Sequence, residues 1–450
     1  MAKSKQKFIC QNCEAVFYKW AGRCESCGEW NSLVEQTLPE MGRSAVARSI
    51  NNGKPLQVNS LNSIPFEEGM KRLKTGIGDL DIILGGGILP GGVTLLAGQP
   101  GIGKSTLLLQ TVSNIAHNYD VLYISGEESA GQVRLRAARL GADKSSNLNF
   151  AASTSADDIA ATIRTGKYQL VVVDSVQTLH LNEITSSPGS ISQITNSSNA
   201  IINTAKETGT SVIFVGHVTK EGSIAGPKIL EHLVDVVLQF EGDRYGGFKI
   251  VRAVKNRYGS TNEAAIFEMG EKGLKIVENP SAALLAERRD EDGSVVLATL
   301  EGARPLLVEI QALVNSTNFG YPKRTASGFD INRLNLLIAV LERRTKLKLS
   351  DKDIYINVVG GIKISDPAAD LAICMAIASA SAGRRLNYDT VVFGEVGLGG
   401  EVRSVTSIEK RIAEAKKLGF TKALAPRTSK NDFIIGVDNV RSTLIEYLQK

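Results

Sequence analysis

Five apolar, β-branched stretches recur through the middle of the chain, at residues 93–97, 121–125, 170–174, 211–215 and 234–238. None alternates between apolar and polar positions, so each predicts a strand buried on both faces, as in a parallel sheet covered by helices. Helical stretches lie between them. Leu107 to Thr111 open one, and Asp79 to Leu84 form another just before the glycine-rich turn Gly85-Gly86-Gly87. Beyond about residue 280 the pattern changes. Segments 294–302 and 305–314 alternate like strands, and Leu334, Leu337, Ile338 and Leu341 fall at i, i+3, i+4 and i+7. That spacing predicts one buried helical stripe, with Arg333 and Arg344 on the outward face. Cys374 lies alone inside the apolar run 371–376 and reads as core.

The first strand of the series runs into Gly98-Gln99-Pro100-Gly101-Ile102-Gly103-Lys104-Ser105-Thr106, which matches the whole G-x-x-x-x-G-K-[ST] pattern. It lies between a strand and a helix, the context in which glycines let successive N–H groups and a helix N-terminus surround phosphate oxygens. Lys104 is expected on the β/γ-phosphates of ATP, and Ser105 on Mg²⁺. Asp174 ends an apolar strand and is expected to organise the same ion; its alternative role is a helix cap. Glu127 and Glu128 follow another strand end through Gly126, where one of them can polarise the attacking water. A solvated acidic pair is the alternative. His217 follows a further strand, where it can sense the γ-phosphate or serve a purely structural role. The loop after it, 218–228, carries Lys220 and Lys228 and suits a charged polymer.

Composition adds less than distribution. The 450 residues suggest two to four domains, 43% hydrophobic and 22% charged content is ordinary for a folded protein, and a net charge of +5 is mild. No apolar signal-peptide core follows the basic start, and no window approaches the ~18 apolar residues of a membrane span, so a cytoplasmic protein is expected. Four of five cysteines lie in the first 27 residues, as Cys10-x2-Cys13 and Cys24-x2-Cys27. Two such knuckles place four thiolates on one tetrahedral Zn²⁺, and Phe17, Tyr18, Trp20 and Trp30 offer an aromatic platform beside it. The expected organisation is a zinc module (1–35), a linker (36–64) rich in Pro, Gly, Asn and Ser, a nucleotide-binding domain (65–280) and a C-terminal domain (281–450).

With these residues in place the central region resembles the RecA-like ATPase core, and Lys255-Asn256-Arg257-Tyr258-Gly259 narrows the resemblance. It is similar to the K-N-R-F-G signature of the bacterial RadA (Sms) family, with Tyr258 keeping the ring of the usual Phe. The resemblance covers nearly the whole chain. It implies an α/β fold: a RecA-like P-loop ATPase with a parallel central sheet, preceded by a four-cysteine zinc module and followed by an α+β Lon-protease-like domain. It also implies that Glu127 takes the catalytic glutamate's place, that Lys255 and Arg257 act across a subunit interface, and that the protein forms a homo-oligomer, a hexameric ring. Its implied partners are single-stranded DNA, branched recombination intermediates and a RecA-like recombinase.

In the similar proteases a serine stands where this chain has Ala368, and a lysine where it has Glu409. Neither can perform the dyad's chemistry, so the domain is expected to be a scaffold. Between Tyr321 and Ser350, Lys323, Arg324, Arg333, Arg343, Arg344, Lys346 and Lys348 outnumber Asp330 and Glu342 by five, equal to the whole chain's net charge. Such a patch suits phosphates, although a solvated charged face is the alternative. The expected function is an ATP-dependent DNA motor of helicase or branch-migration type in recombination and repair. An ATP-switched assembly that does not use DNA and an ATP-dependent protease are the alternatives.

Overall fold

The computed structural model describes residues 7–10, 15–30, 32–36, 60, 71–218, 224–225, 229–242, 247–317, 320–427 and 431–448. The chain divides into two compact units, Met1–Glu68 and Gly69–Lys450. In the first, β1 (Lys7–Cys10) pairs antiparallel with β2 (Val16–Phe17) and β3 (Leu33–Gln36). Among the described residues its apolar centre is Cys10, Cys24 and Leu33, packed by Phe8, Phe17 and Ala21. A centre this small does not hold a fold unaided.

In the second unit, α1 (Gly78–Ile83) leads into β4 (Val93–Gly98), α2 (Lys104–Ile115), β5 (Val121–Ser125) and α3 (Ala130–Leu140). Then come β6 (Leu148–Ala152), α4 (Ala156–Thr165), β7 (Leu170–Asp174), α5 (Ile191–Thr208), β8 (Ser211–Val218), β9 (Ile224–Ala225), α6 (Ile229–Leu233) and β10 (Val236–Gly242). The strands β11 (Lys249–Asn256), β12 (Ala264–Gly270) and β13 (Gly273–Ile276) complete the sheet. Its order is β13-β12-β11-β10-β4-β8-β7-β5-β6, with β9 paired to β8. From β10 to β6 every neighbouring pair is parallel. The apolar runs divide by alternation: Leu170 and Val172 face the core that includes α2, while Val171 and Val173 face that of α4 and α5. Both faces are thus buried.

After α7 (Pro280–Leu285) a second sheet forms from β14 (Ser294–Glu301), β15 (Arg304–Ser316), β16 (Arg324–Ser327) and, after α8 (Ile331–Thr345), β17 (Lys352–Val358). The rest is α9 (Ala369–Ala382), β18 (Thr390–Val392), the pair β19 (Glu395–Val396) and β20 (Val402–Arg403), α10 (Ile408–Lys417), β21 (Lys422–Pro426), β22 (Ile434–Val437) and α11 (Val440–Tyr447). The seven-stranded order is β16-β17-β15-β14-β18-β21-β22. The alternation expected of 294–302 is not observed: β14 is buried along nearly its whole length, and the helices Ala369–Ala382 and Ile408–Lys417 pack against it. Helix α9 is apolar all round and sits at the centre of this core, as such a helix must.

The boundary expected near residue 280 runs through a common core, in which Ile250, Ala264 and Ile266 pack with β14 and β15. The β14–β15 turn is also gripped by charge. Glu301 meets Arg252 at 2.9 Å, and Arg304 meets Asp79 of α1 at 2.8 Å.

Candidate nucleotide-binding site and metal centre

Strand β4 ends beside β8, with Gly98 opposite His217, and the loop that follows turns on Gly101 (φ 77°) and Gly103 (φ 118°). The left-handed backbone at Gly103 requires glycine there, whereas the Met269 methyl, 3.0 Å from where a β-carbon would stand, ends a flexible side chain that could shift. Lys104, the first residue of α2, is buried. Its Nζ donates to the carbonyls of Gly98 (2.8 Å) and Gln99 (3.0 Å) and lies 3.2 Å from His217 Nδ1. Burial lowers its pKa to about 8, against the pull of Asp174 and Glu127.

Across the pocket, Asp174 Oδ2 accepts from Ser105 Oγ at 2.8 Å and from the Tyr123 hydroxyl at 2.6 Å. Burial, then Asp174, push the Tyr123 phenol well above its ordinary range, so it remains a donor. Glu127 Oε1 accepts from Ser175 Oγ at 2.5 Å and faces His217 Nε2 at 3.3 Å. The hydrogen bond from His217 is the main reason that its pKa falls to about 2; Ser175 and the Lys104 charge add to it against burial. Glu128 is held differently, with both carboxylate oxygens on Arg136 (2.7 and 2.5 Å).

The P-loop, Lys104, Ser105, Glu127, Asp174 and His217 line one open pocket of about 460 Å³, the space that a nucleotide's phosphates need. Ser105 and Asp174 present hard oxygen donors side by side, the set that fits Mg²⁺. Sequence reasoning missed Ser125, Arg136 and Arg139 of this pocket wall, and also Tyr123 and Ser175, which hold Asp174 and Glu127. Only Tyr123, a hydroxyl inside an apolar run, and Ser175, directly after Asp174, carried a readable signal.

Lys255 and Arg257 are not among the residues lining this pocket. Lys255 Nζ donates to the carbonyls of Glu231 (2.7 Å), Val234 (2.7 Å) and His232 (3.3 Å), closing the end of α6. Arg257 pairs at 3.0 Å with the buried Asp235, whose other oxygen accepts from Val93 N–H. Asn256 donates to Ile83 O at 2.9 Å, and a β-carbon on Gly259 would press on Gly85 Cα. The pentapeptide therefore ties α6, β4 and α1 together.

In the N-terminal unit the sulfurs of Cys10, Cys24 and Cys27 all lie within 4.8 Å of one another; Cys13 is outside the described residues. The second knuckle closes through Gly28 (φ 75°), whose N–H donates to Cys24 O at 2.9 Å. Three thiolates at such separations fit tetrahedral Zn²⁺. The aromatic platform does not close over them: Tyr18, Trp20 and Trp30 are 62–69% exposed, and only Phe17 packs inward.

In the C-terminal sheet region Ala368 is fully buried, whereas Glu409 and Ser365 are exposed and Lys410 donates to Ala303 O. Arg411, two residues beyond Glu409, is fully buried and paired with Asp366 at 2.7 Å; Asp366 also accepts from Thr299 Oγ1 and from the amides of Leu300 and Ala368. Ala368 offers no nucleophile and Glu409 no amine at the positions of the serine–lysine dyad.

Among the basic residues, Arg343, Arg344, Lys346 and Lys348 are exposed and Arg324 is half-buried. Arg333 departs from the outward position that its helical spacing implied. Its guanidinium turns onto the fully buried Asp370, because that carboxylate would otherwise be an unpaired charge in the core. Lys220 and Lys228 lie outside the described residues.

Comparison with known proteins bears on these sites. Residues 8–35 match the family described as a rubredoxin metal binding domain, 69–223 an AAA domain, and 334–429 the subunit ChlI of Mg-chelatase. Among solved structures, a KaiC-like protein of Pyrococcus horikoshii aligns over 46% of this chain and 99% of its own, with 21% identity and a TM-score of 0.39. The RadB recombinase covers 46% of this chain and 100% of its own, with 24% identity and a TM-score of 0.37. The DNA repair protein RadA of Bacillus subtilis is 47% identical over 99% of both chains, and that of Aquifex aeolicus 44% identical over 100% of this chain and 99% of its own. RadA of Pseudomonas aeruginosa is 46% identical over 95% of this chain and 94% of its own. A RecA-like P-loop sheet between a cysteine-rich ribbon and an α+β domain, with identity at this level along the whole length, makes the chain a member of the RadA family of DNA repair proteins.

Proposed function

We propose that this chain is a DNA-dependent ATPase and a motor of helicase or branch-migration type. It acts on single-stranded DNA and branched recombination intermediates beside a RecA-like recombinase, in the cytoplasm, as a homo-oligomeric ring, a hexamer by resemblance. The observation that carries this reading is the continuous contact Lys104–His217–Glu127. It joins the phosphate cradle to a carboxylate and to the end of β8, from which the chain runs directly into the two-lysine segment 219–228. A change at the γ-phosphate is thereby felt where DNA would lie.

Lys104 exchanges the carbonyls of Gly98 and Gln99 for the β/γ-phosphate oxygens. Ser105 and Asp174 would hold Mg²⁺, which would neutralise phosphate charge. Glu127, with a pKa of about 2, is too weak a base to keep a proton, so it orients the attacking water. As the water oxygen bonds to the γ-phosphorus and the bond to the bridging oxygen breaks, the water's proton ends on the released phosphate. By resemblance Lys255 and Arg257 act on a neighbouring subunit's nucleotide, for which Arg257, half exposed at its Asp235 pair, would have to leave that carboxylate and Lys255 its three carbonyls. Cys10, Cys24 and Cys27, with Cys13 as the fourth ligand expected from the spacing, would hold a structural Zn²⁺. The exposed Arg343, Lys346 and Lys348, with Arg324, Lys220 and Lys228, receive DNA phosphates, and Arg333 serves the fold beside them.

The decisive experiment is ATP turnover with and without single-stranded DNA. Stimulation of about tenfold or more is expected for a coupled motor. Equal turnover would favour the ATP-switched assembly, and degradation of casein would revive the protease, against which Ala368 and the Asp366–Arg411 pair stand.

A further inference from the structure

Glu127 and Glu128 are consecutive carboxylates, and both line the nucleotide pocket. Two unpaired acids facing a polyphosphate would repel it, and either could approach the attacking water. The turn that carries them hangs on one hydroxyl: Ser125 Oγ accepts from the Glu128 amide at 2.9 Å and from the Glu127 amide at 3.4 Å. Directly after it α3 begins with a capping box, in which Gln132 Oε1 accepts from Ser129 N–H at 2.9 Å. Two turns along that helix, Arg136 reaches back. Its Nη1 donates to one Glu128 oxygen at 2.7 Å and its Nη2 to the other at 2.5 Å. Such a two-pronged grip fixes orientation as well as charge.

The geometry points to Arg136 as a positioning residue for ATP hydrolysis: by engaging both oxygens of Glu128 it neutralises that acid and pins the turn, so that Glu127 alone faces the transferring phosphate. The assignment rests on the role proposed above for Glu127. A direct bond from Arg136 to phosphate is the competing role, and it is disfavoured because both ends of the guanidinium fork are already committed to Glu128.

The test is steady-state ATP hydrolysis by full-length Arg136→Ala, Arg136→Lys, Glu128→Ala and the Arg136→Ala/Glu128→Ala double variant. Arg136→Ala leaves Glu128 bare; KM for ATP should rise about tenfold and kcat fall about tenfold. Removing Glu128 as well takes the stray charge away, so KM should return to within about threefold of wild type while kcat stays low. Arg136→Lys keeps the charge without the fork, and should restore KM but not kcat. The inference is overturned if the double variant is as poor in KM as Arg136→Ala, which would mean direct phosphate contact, or if Arg136→Ala matches wild type. Should Arg136→Ala not fold, the split between KM and kcat in Arg136→Lys decides alone. Glu127→Gln in the same assay separates the two levels: full turnover there removes the parent reading, whereas lost turnover with an unchanged Arg136 series removes only this one.

Discussion

Lys104 and His217 touch: the ammonium lies 3.2 Å from Nδ1, and the far side of the same ring meets Glu127 at 3.3 Å. The Lys104 ammonium faces Nδ1, and Nε2 on the opposite side of the ring faces Glu127. One ring thus reads the lysine on one side and orients the carboxylate on the other. His217→Ala should cut kcat by about tenfold to a hundredfold. It should also release Glu127 from its main acidifying contact, so its pKa rises from about 2 toward the ordinary carboxylate value. The variant's turnover should therefore fall as pH drops through about 5 to 4, with wild type holding further down. Rate profiles with circular dichroism at each pH would check this; coincident acid limbs would contradict it.

Burial makes the charge on Lys104 costly. Its folded pKa of about 8 lies below the ordinary 10.5, so the folded state binds fewer protons than the unfolded chain between those values. Stability is gained as pH rises through that window, and the full cost is present below it. Lys104→Met should raise the unfolding free energy at pH 7 by about 1–2 kcal/mol, discounted for partial solvation, and abolish hydrolysis. Thermal denaturation at pH 7 and pH 10 is the measurement, and a less stable variant at pH 7 would contradict it.

Binding of ATP should return the missing proton. Near pH 8 about half a proton is taken up per site, and almost none at pH 6. Calorimetric titration in buffers of different ionisation heat reads this directly; binding heats that do not depend on buffer at pH 8 would refute it.

Cys24→Ala should release one equivalent of zinc and unfold only the first ~35 residues, because three buried apolar residues cannot replace the ion. Metal content and limited proteolysis would show it. Retained zinc would contradict the assignment.

The basic residues divide into two classes with opposite readouts. Replacing Arg343, Lys346 and Lys348 with Ala should flatten the slope of log affinity for single-stranded DNA against log salt by roughly 0.7 per lost contact. Stability should hardly change. Arg333→Ala strands a buried carboxylate, and should cost about 3 kcal/mol of stability. Salt-dependent binding and denaturant unfolding test the pair of claims, and an unchanged slope in the triple variant identifies a solvated face.

The chemistry was legible wherever it depended on adjacency. The phosphate loop, the strand ends at Glu127 and Asp174, and the paired cysteine knuckles each lie within a few residues, so spacing alone carries them. Strand order was not legible, and neither was the antiparallel extension β11–β13, because pairing between distant segments leaves no periodic mark. Arg333 shows the limit most clearly. Its helical position placed it outward, but a charge 37 residues away, at Asp370, turns it in. Arg136 was missed for a related reason: its partner precedes the helix that carries it, and helical spacing says nothing about contacts back across a cap.

The grip of Arg252 and Asp79 on the β14–β15 turn has a mechanical consequence. Strand β15 starts at that turn and continues for 13 residues, about 43 Å at the usual rise per residue, through the C-terminal sheet. Fastened at that end to the ATPase sheet by two ion pairs, and sharing an apolar core with it, the strand is braced rather than hinged, so the two sheets form one mechanical unit.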